Sequence, residues 1–172
     1  MKERNSMKIT TVIFDLDGTL LDTLEDLTDA VNYALTAYGM PQRSIDEIRQ
    51  FVGNGIRRLM QRAVPNGEKN PDFEAVFSTF RSYYDVHCND KTKPYEGIME
   101  LIDALLERGI NLAIVSNKVE SAVQTLNKLY FPQVKVAVGD REGLQRKPAP
   151  DSVFQAMSVF DAKSAETLYV GD

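Results

Sequence analysis

Ile9 to Phe14 is an apolar, β-branched run that ends at Asp15. It predicts a short strand buried on both faces, which delivers a carboxylate at its C-terminal edge. Runs of the same kind recur at Ile110–Val115, Val134–Val138 and Thr167–Val170. Between these later runs the apolar spacing becomes helical. Val119, Ala122, Val123 and Leu126 form one stripe and Val153, Phe154 and Met157 another, while Ile98, Leu101, Ile102 and Leu105 form a stripe just ahead of Ile110–Val115. Gly109 follows this last stripe where a helix C′ residue is expected. Strands alternating with helices predict a parallel sheet joined by right-handed crossovers, a Rossmann-like α/β fold.

The stretch between the first and second strands breaks this alternation, because every periodic segment in it is helical. Leu24, Leu27, Val31, Ala34, Leu35 and Tyr38 share a stripe. Ser44-Ile45-Asp46-Glu47 has the form of a capping box, and Asn70-Pro71 supplies an N-cap and an N1 proline before Phe73, Val76, Phe77, Phe80 and Tyr84. Gly39-Met40-Pro41 and Pro65-Asn66-Gly67 mark the turns. The expected organisation is a core of residues 1–20 and 94–172 carrying a helical insertion at residues 21–93.

Composition narrows the classes. Of 172 residues, 43% are hydrophobic and 26% charged, as in a water-soluble globular chain. A formal net charge of -5 lacks the broad basic face that a nucleic-acid or anionic-membrane binder needs, so an anionic ligand has to meet a local cluster of cations. No run approaches the ~18 apolar residues of a membrane span, and no apolar signal segment follows Met1–Lys8. The single cysteine, Cys88, fits a reducing compartment, with cytoplasm the expected location. A lone His87 beside a lone Cys88 is no metal-ligand set and reads as structural.

Ligands of open parallel sheets bind beyond the carboxyl ends of the strands, so chemistry is sought there. Asp15 and Asp17 follow the first run, and Gly18 permits a turn that re-aims the second carboxylate. One carboxylate can attack phosphorus while its neighbour protonates the leaving alkoxide and later takes a proton from water. Mg²⁺ suits such a pair because it takes one or two carboxylates together with phosphate oxygens. A bare Asp-x-Asp is more often a solvated turn; the full Asp15-Leu16-Asp17-Gly18-Thr19-Leu20 after a buried strand favours the site.

The other candidates are weaker alone. Ser116 and Asn117 precede a helix, where hydroxyl and backbone N–H groups can hold an anion or simply cap. Lys147, kept extended by Pro148, is either a fixed cation for a transferring phosphoryl group or a surface lysine. Asp172, after Gly171, is equally a second metal ligand or part of a turn. In the insertion, Val52-Gly53-Asn54-Gly55-Ile56-Arg57-Arg58 places arginines in the first turn of a helix, where positive charge is mildly unfavourable. Either Arg57 meets a substrate carboxylate from this loop tip, or the arginines are merely solvated.

Taken in order, these residues resemble the haloacid dehalogenase superfamily of phosphohydrolases from Ile9 to Asp172. Asp15-Leu16-Asp17-Gly18-Thr19 looks like its first motif, Ser116 the second, Lys147-Pro148 the third and Gly171-Asp172 the start of the fourth. The resemblance implies that Asp15 is nucleophile and metal ligand, Asp17 acid/base and backbone ligand, and Lys147 a charge clamp. It implies that Ser116 and Asn117 bind phosphate, that Asp172 is a metal ligand, and that the insertion is a cap. Thr19 is typical of the phosphatases. Leu21 through Val52-Gly53-Asn54-Gly55 is most similar to phosphoglycolate phosphatases. The implied activity is Mg²⁺-dependent hydrolysis of a small phosphorylated metabolite by a monomer or homodimer, with Gly53, Asn54 and Arg57 on the substrate side. A sugar phosphate, nucleotide or pyrophosphate is the alternative substrate.

The family's fourth motif continues to a further acidic residue, strand and helix, so the last part of the core is expected to be missing here. A truncated, catalytically silent binding module is therefore a rival reading. A dehalogenase of the same fold needs no metal, against which Asp17 and Asp172 weigh. A signalling receiver domain carries its phosphorylated aspartate on a middle strand and has no such insertion. A P-loop kinase is excluded for want of Gly-x-x-x-x-Gly-Lys-Ser/Thr.

Overall fold

The computed structural model describes residues 8–53 and 55–171. In chain order its elements begin with β1 (Thr11–Phe14), β2 (Leu21–Asp22), α1 (Leu24–Ala37), α2 (Ile45–Phe51), α3 (Ile56–Ala63), α4 (Phe73–His87) and β3 (Lys93–Pro94). They continue with α5 (Ile98–Glu107), β4 (Asn111–Val119), α6 (Glu120–Tyr130), β5 (Val136–Asp140), α7 (Asp151–Val159) and β6 (Thr167–Val170). The chain forms two compact units, Met1–Leu20 with Pro94–Asp172 and Leu21–Lys93.

The first unit is a mixed α/β fold built on a four-stranded sheet of order β5-β4-β1-β6, parallel throughout. β1 lies inside it, with Phe14 level with Ile114 of β4 on one side and Val170 of β6 on the other. All four β1 residues are buried, so the apolar run has no polar alternation. The chain leaves β1 for β4 and β5 on one side and then returns to β6 on the other. The carboxyl ends of β1 and β6 therefore flank the switch point where such sheets bind ligands. A core of Ile13, Ala113, Val115, Val136, Val138, Ala156 and Met157 packs α7 against the sheet.

Thr167–Val170 forms a strand but not a buried one: β6 pairs with β1 alone among the described strands, and Leu168 and Tyr169 are exposed. Phe154 and Leu101, placed on core stripes by spacing, are 56% and 43% exposed, at the flanks of stripes whose centres are Met157 and Ile102. Val134 lies before β5 rather than in it, yet is buried, its N–H bonded to Phe131 O. β4 runs four residues beyond Val115, to Val119.

The second unit has its own core, in which Leu27, Val31, Ala34 and Leu35 of α1 meet Val76, Phe80 and Tyr84 of α4, with Ile48, Leu59 and Met60 from α2 and α3. Ser44 caps α2 in the reciprocal box that its spacing predicts: Ser44 Oγ accepts from Glu47 N–H, and the Glu47 carboxylate accepts from Ser44 N–H. The start of α4 differs from expectation. Its N-cap is Asp72, while Asn70 makes a turn, accepting from Asp72 N–H and donating to Pro65 O. His87 pairs with Asp90 and stacks on Tyr83, as a structural histidine does.

Candidate active site

The sheet delivers Asp15 one residue past β1, where its N–H donates to Val170 O at 2.8 Å and so ties it to the end of β6. Its Oδ1 accepts from Leu16 N–H at 2.7 Å, and its Oδ2 lies 2.7 Å from Lys147 Nζ. Burial pushes the Asp15 carboxyl above the usual aspartate range. The bond and charge of Lys147 oppose that shift, and the neighbouring Asp17 adds to it. Gly171 lies close beside it: a Cβ there would stand 2.9 Å from the Tyr169 ring and 3.4 Å from Asp15 Cβ.

Lys147 is held from three directions. Besides Asp15, its ammonium donates to Val115 O at 3.0 Å and to Tyr169 Oη at 2.8 Å. Its backbone is clamped by Asn117, whose Nδ2 donates to Lys147 O at 3.0 Å and whose Oδ1 accepts from Lys147 N–H at 2.8 Å. The Asn117 side-chain amide is thus taken up by the Lys147 backbone, whereas the phosphate reading of Ser116 and Asn117 rests on a hydroxyl and backbone N–H groups. Both polar ends of its amide hold the loop that presents Lys147.

Asp17 leaves the turn made by Gly18, which has φ +79. Its Oδ2 is 3.5 Å from Ser116 Oγ, a marginal contact, and its Oδ1 accepts from Lys118 Nζ at 3.1 Å. Ser116 Oγ in turn accepts from Lys118 N–H at 3.1 Å. Thr19 Oγ1 is buried and makes no hydrogen bond among the described residues.

The structure therefore brings Asp15, Asp17, Ser116 and Lys147 to one sheet end, with Asn117 behind them. Asp172 and Asn54 lie outside the described residues. Gly53 and Gly55 take left-handed conformations at the α2–α3 turn, with φ +101 and +86. Arg57 is engaged inside its own unit. It pairs with Glu68 at 2.8 Å and with Glu74, and lies 5.2 Å from the centre of the Phe73 ring. These carboxylates account for a cation in the first turn of α3 without a ligand.

Lys118 and Tyr169 were not singled out by sequence. Reading a strand that stops at Val115 puts Lys118 on the following helix. Extending β4 to Val119 puts residues 116 and 118 in the i, i+2 relation of strand neighbours.

A carboxylate beyond an inner strand of a parallel sheet, matched by a lysine from the loop before α7, marks a Rossmann-like core with its candidate site at the carboxyl end of the strands. The profile of haloacid dehalogenase-like hydrolases matches residues 12–172, and the chain belongs to that family. It is 33% identical over 174 residues to a phosphoglycolate phosphatase of Thiobacillus denitrificans, covering 96% of this chain and 76% of the relative. It is 32% identical to a pyrophosphatase of Halalkalibacterium halodurans, covering 96% of this chain and 76% of that one. Among solved structures, a candidate phosphoglycolate phosphatase from Lactobacillus delbrueckii subsp. bulgaricus superimposes with a TM-score of 0.89 at 34% identity, covering 96% of this chain and 79% of the other. The chain is a phosphatase of this family, most similar to phosphoglycolate phosphatases.

Proposed function

We propose that the protein hydrolyses a small phosphomonoester, foremost 2-phosphoglycolate, with Mg²⁺ and through a phosphoryl group carried on Asp15. The observation that carries this reading is the Asp15–Lys147 contact of 2.7 Å at the carboxyl end of β1. A buried carboxylate held against a fixed ammonium is a nucleophile whose charge is offset before an anionic substrate arrives.

In the first step an Asp15 oxygen attacks phosphorus, the ester P–O bond breaks, and Asp17 gives its proton to the leaving alkoxide. In the second, Asp17 takes a proton from water as that water attacks phosphorus, releasing inorganic phosphate and restoring Asp15. Ser116 Oγ and Thr19 Oγ1 supply hydroxyl donors for phosphate oxygens, and Lys147 offsets charge on the transferring group. Asn117 acts by fixing Lys147.

The donors at this site are hard carboxylate oxygens, with neither imidazole nor thiolate among those described, the set that Mg²⁺ takes and zinc or copper does not favour. The Asp15 carboxylate, the backbone oxygen of Asp17 and Asp172 are the groups proposed to hold the ion, which would supply charge neutralisation for the approach of phosphate to carboxylate. On the substrate side Gly53 and Asn54 remain proposed contacts. Arg57, paired with Glu68 and Glu74 and still exposed, is the third proposed contact there.

Phosphate release from a panel of 2-phosphoglycolate, sugar phosphates, nucleotides and pyrophosphate tests the reading. Turnover should be greatest on 2-phosphoglycolate and be lost in EDTA and in Asp15→Asn. Undiminished turnover in EDTA overturns the metal requirement, a different preferred member of the panel overturns the substrate, and no hydrolysis of any member points to the binding module.

A further inference from the structure

β4 and β5 pair in register as far as Val115 opposite Val138, and their next pair is Val119 opposite Asp140. Four steps of β4 are thus matched by two of β5, and residues 116–118 bulge from the ladder at the sheet end that carries Asp15. The bulge is fixed from behind. A Cβ on Gly139 would lie 2.6 Å from Glu120 Cα and 2.8 Å from Lys118 O, so the strands approach this closely only with glycine there. Gln124 Nε2 donates to Ala137 O at 2.7 Å, and Asn117 makes its two bonds to the Lys147 backbone.

This segment presents Ser116 and Lys118 to the two oxygens of Asp17. Lys118 has only 9% of its side chain exposed, against 30% for Asp17. Burying an ammonium requires a compensating partner, and the Asp17 carboxylate provides one at 3.1 Å. Asp17 itself stands at a turn opened by Gly18.

Resting on the phosphatase reading above, we propose that Lys118 is the positioning residue for Asp17, holding the acid/base carboxylate toward the phosphoryl site so that its proton transfers run from one fixed place. Lys118 does not touch the reacting atoms. It acts through Asp17 as Asn117 acts through Lys147, and the bulge in β4 is the device that aims both.

Proton donation matters most for a poor leaving group. An alkyl phosphate needs its departing oxygen protonated, whereas p-nitrophenolate leaves without help. In Lys118→Met, kcat on 2-phosphoglycolate is expected to fall at least tenfold further than kcat on p-nitrophenyl phosphate, with KM little altered. Asp17→Asn should show the same bias more strongly, and Lys118→Arg should restore much of the loss. Crystal structures of wild type and Lys118→Met should show the Asp17 carboxylate displaced from Ser116 in the variant, with Lys118→Gln as the substitute if Lys118→Met does not fold. Equal losses on both substrates, or an Asp17 that keeps its place, overturn the proposal. Wild-type turnover that survives Asp15→Asn, or no wild-type turnover at all, overturns the phosphatase reading instead, and the crystallographic comparison then still decides the role of Lys118.

Discussion

Asp15 is placed where a carboxylate is unstable unless something is done about its charge. Burial raises its proton affinity and the Lys147 ammonium lowers it, with burial the larger effect. The consequence for stability has a definite sign. An unfolded aspartate loses its proton near pH 3.9. In the folded chain the loss comes at higher pH, so between the two values the native state holds a proton that the unfolded state has released. Stability attributable to this group therefore falls as pH rises through that window and stays lower at neutrality. In metal-free buffer, Asp15→Asn is expected to gain Tm relative to wild type as pH is raised from about 3.5 towards 7. Thermal unfolding of both proteins across that range checks it; parallel pH profiles would show that Lys147 cancels the burial cost. The motif around Asp15 was legible because chemistry concentrated it in one run of residues. Lys118 and Tyr169 were not, because each becomes a neighbour of the site only through pairing that sequence spacing does not record.

At the scale of elements, local signals and tertiary ones separate cleanly. The Ser44 capping box and the Gly109 turn, where Ile110 N–H donates to Leu105 O, depend on residues within one turn of each other and could be read directly. The limits of β4 and the exposure of β6 depend on which strands lie alongside. A run such as Leu168-Tyr169-Val170 looks the same at the edge of a sheet as inside it. The clearest tertiary requirement is Gly139. It has no left-handed φ to mark it, yet a single methyl would meet backbone atoms of Lys118 and Glu120 well inside contact distance. Gly139→Ala is therefore expected to cost about 1–3 kcal/mol, as overpacking does, because backbone cannot rotate aside as a side chain would. Urea unfolding measures the loss. A change below about 0.5 kcal/mol, the range of ordinary surface substitutions, would mean that the bulge relaxes freely.

For the molecule as a whole, the decisive feature is that one chain builds two cores in sequence-interrupted order. Residues 21–93 close their own apolar cluster, while the sheet is assembled from segments on either side of that stretch. The sheet's first strand is completed by contacts about a hundred residues away, Phe14 with Ile114, whereas α1 and α4 meet across a shorter stretch that holds α2 and α3. Separate cores imply that stability need not be lost everywhere at once. Phe80 is fully buried in the helical cluster and stacks on Phe77 and Tyr84, so Phe80→Ala removes about 3–5 kcal/mol of packing from that cluster and leaves the contacts of the sheet intact. Amide exchange should consequently accelerate across α1 and α4 while protection in β1 and β4 persists. Uniform loss of protection in both units would instead mean that the chain unfolds as a single cooperative body. In that case the helical insertion contributes to the stability of the sheet as well as to its own.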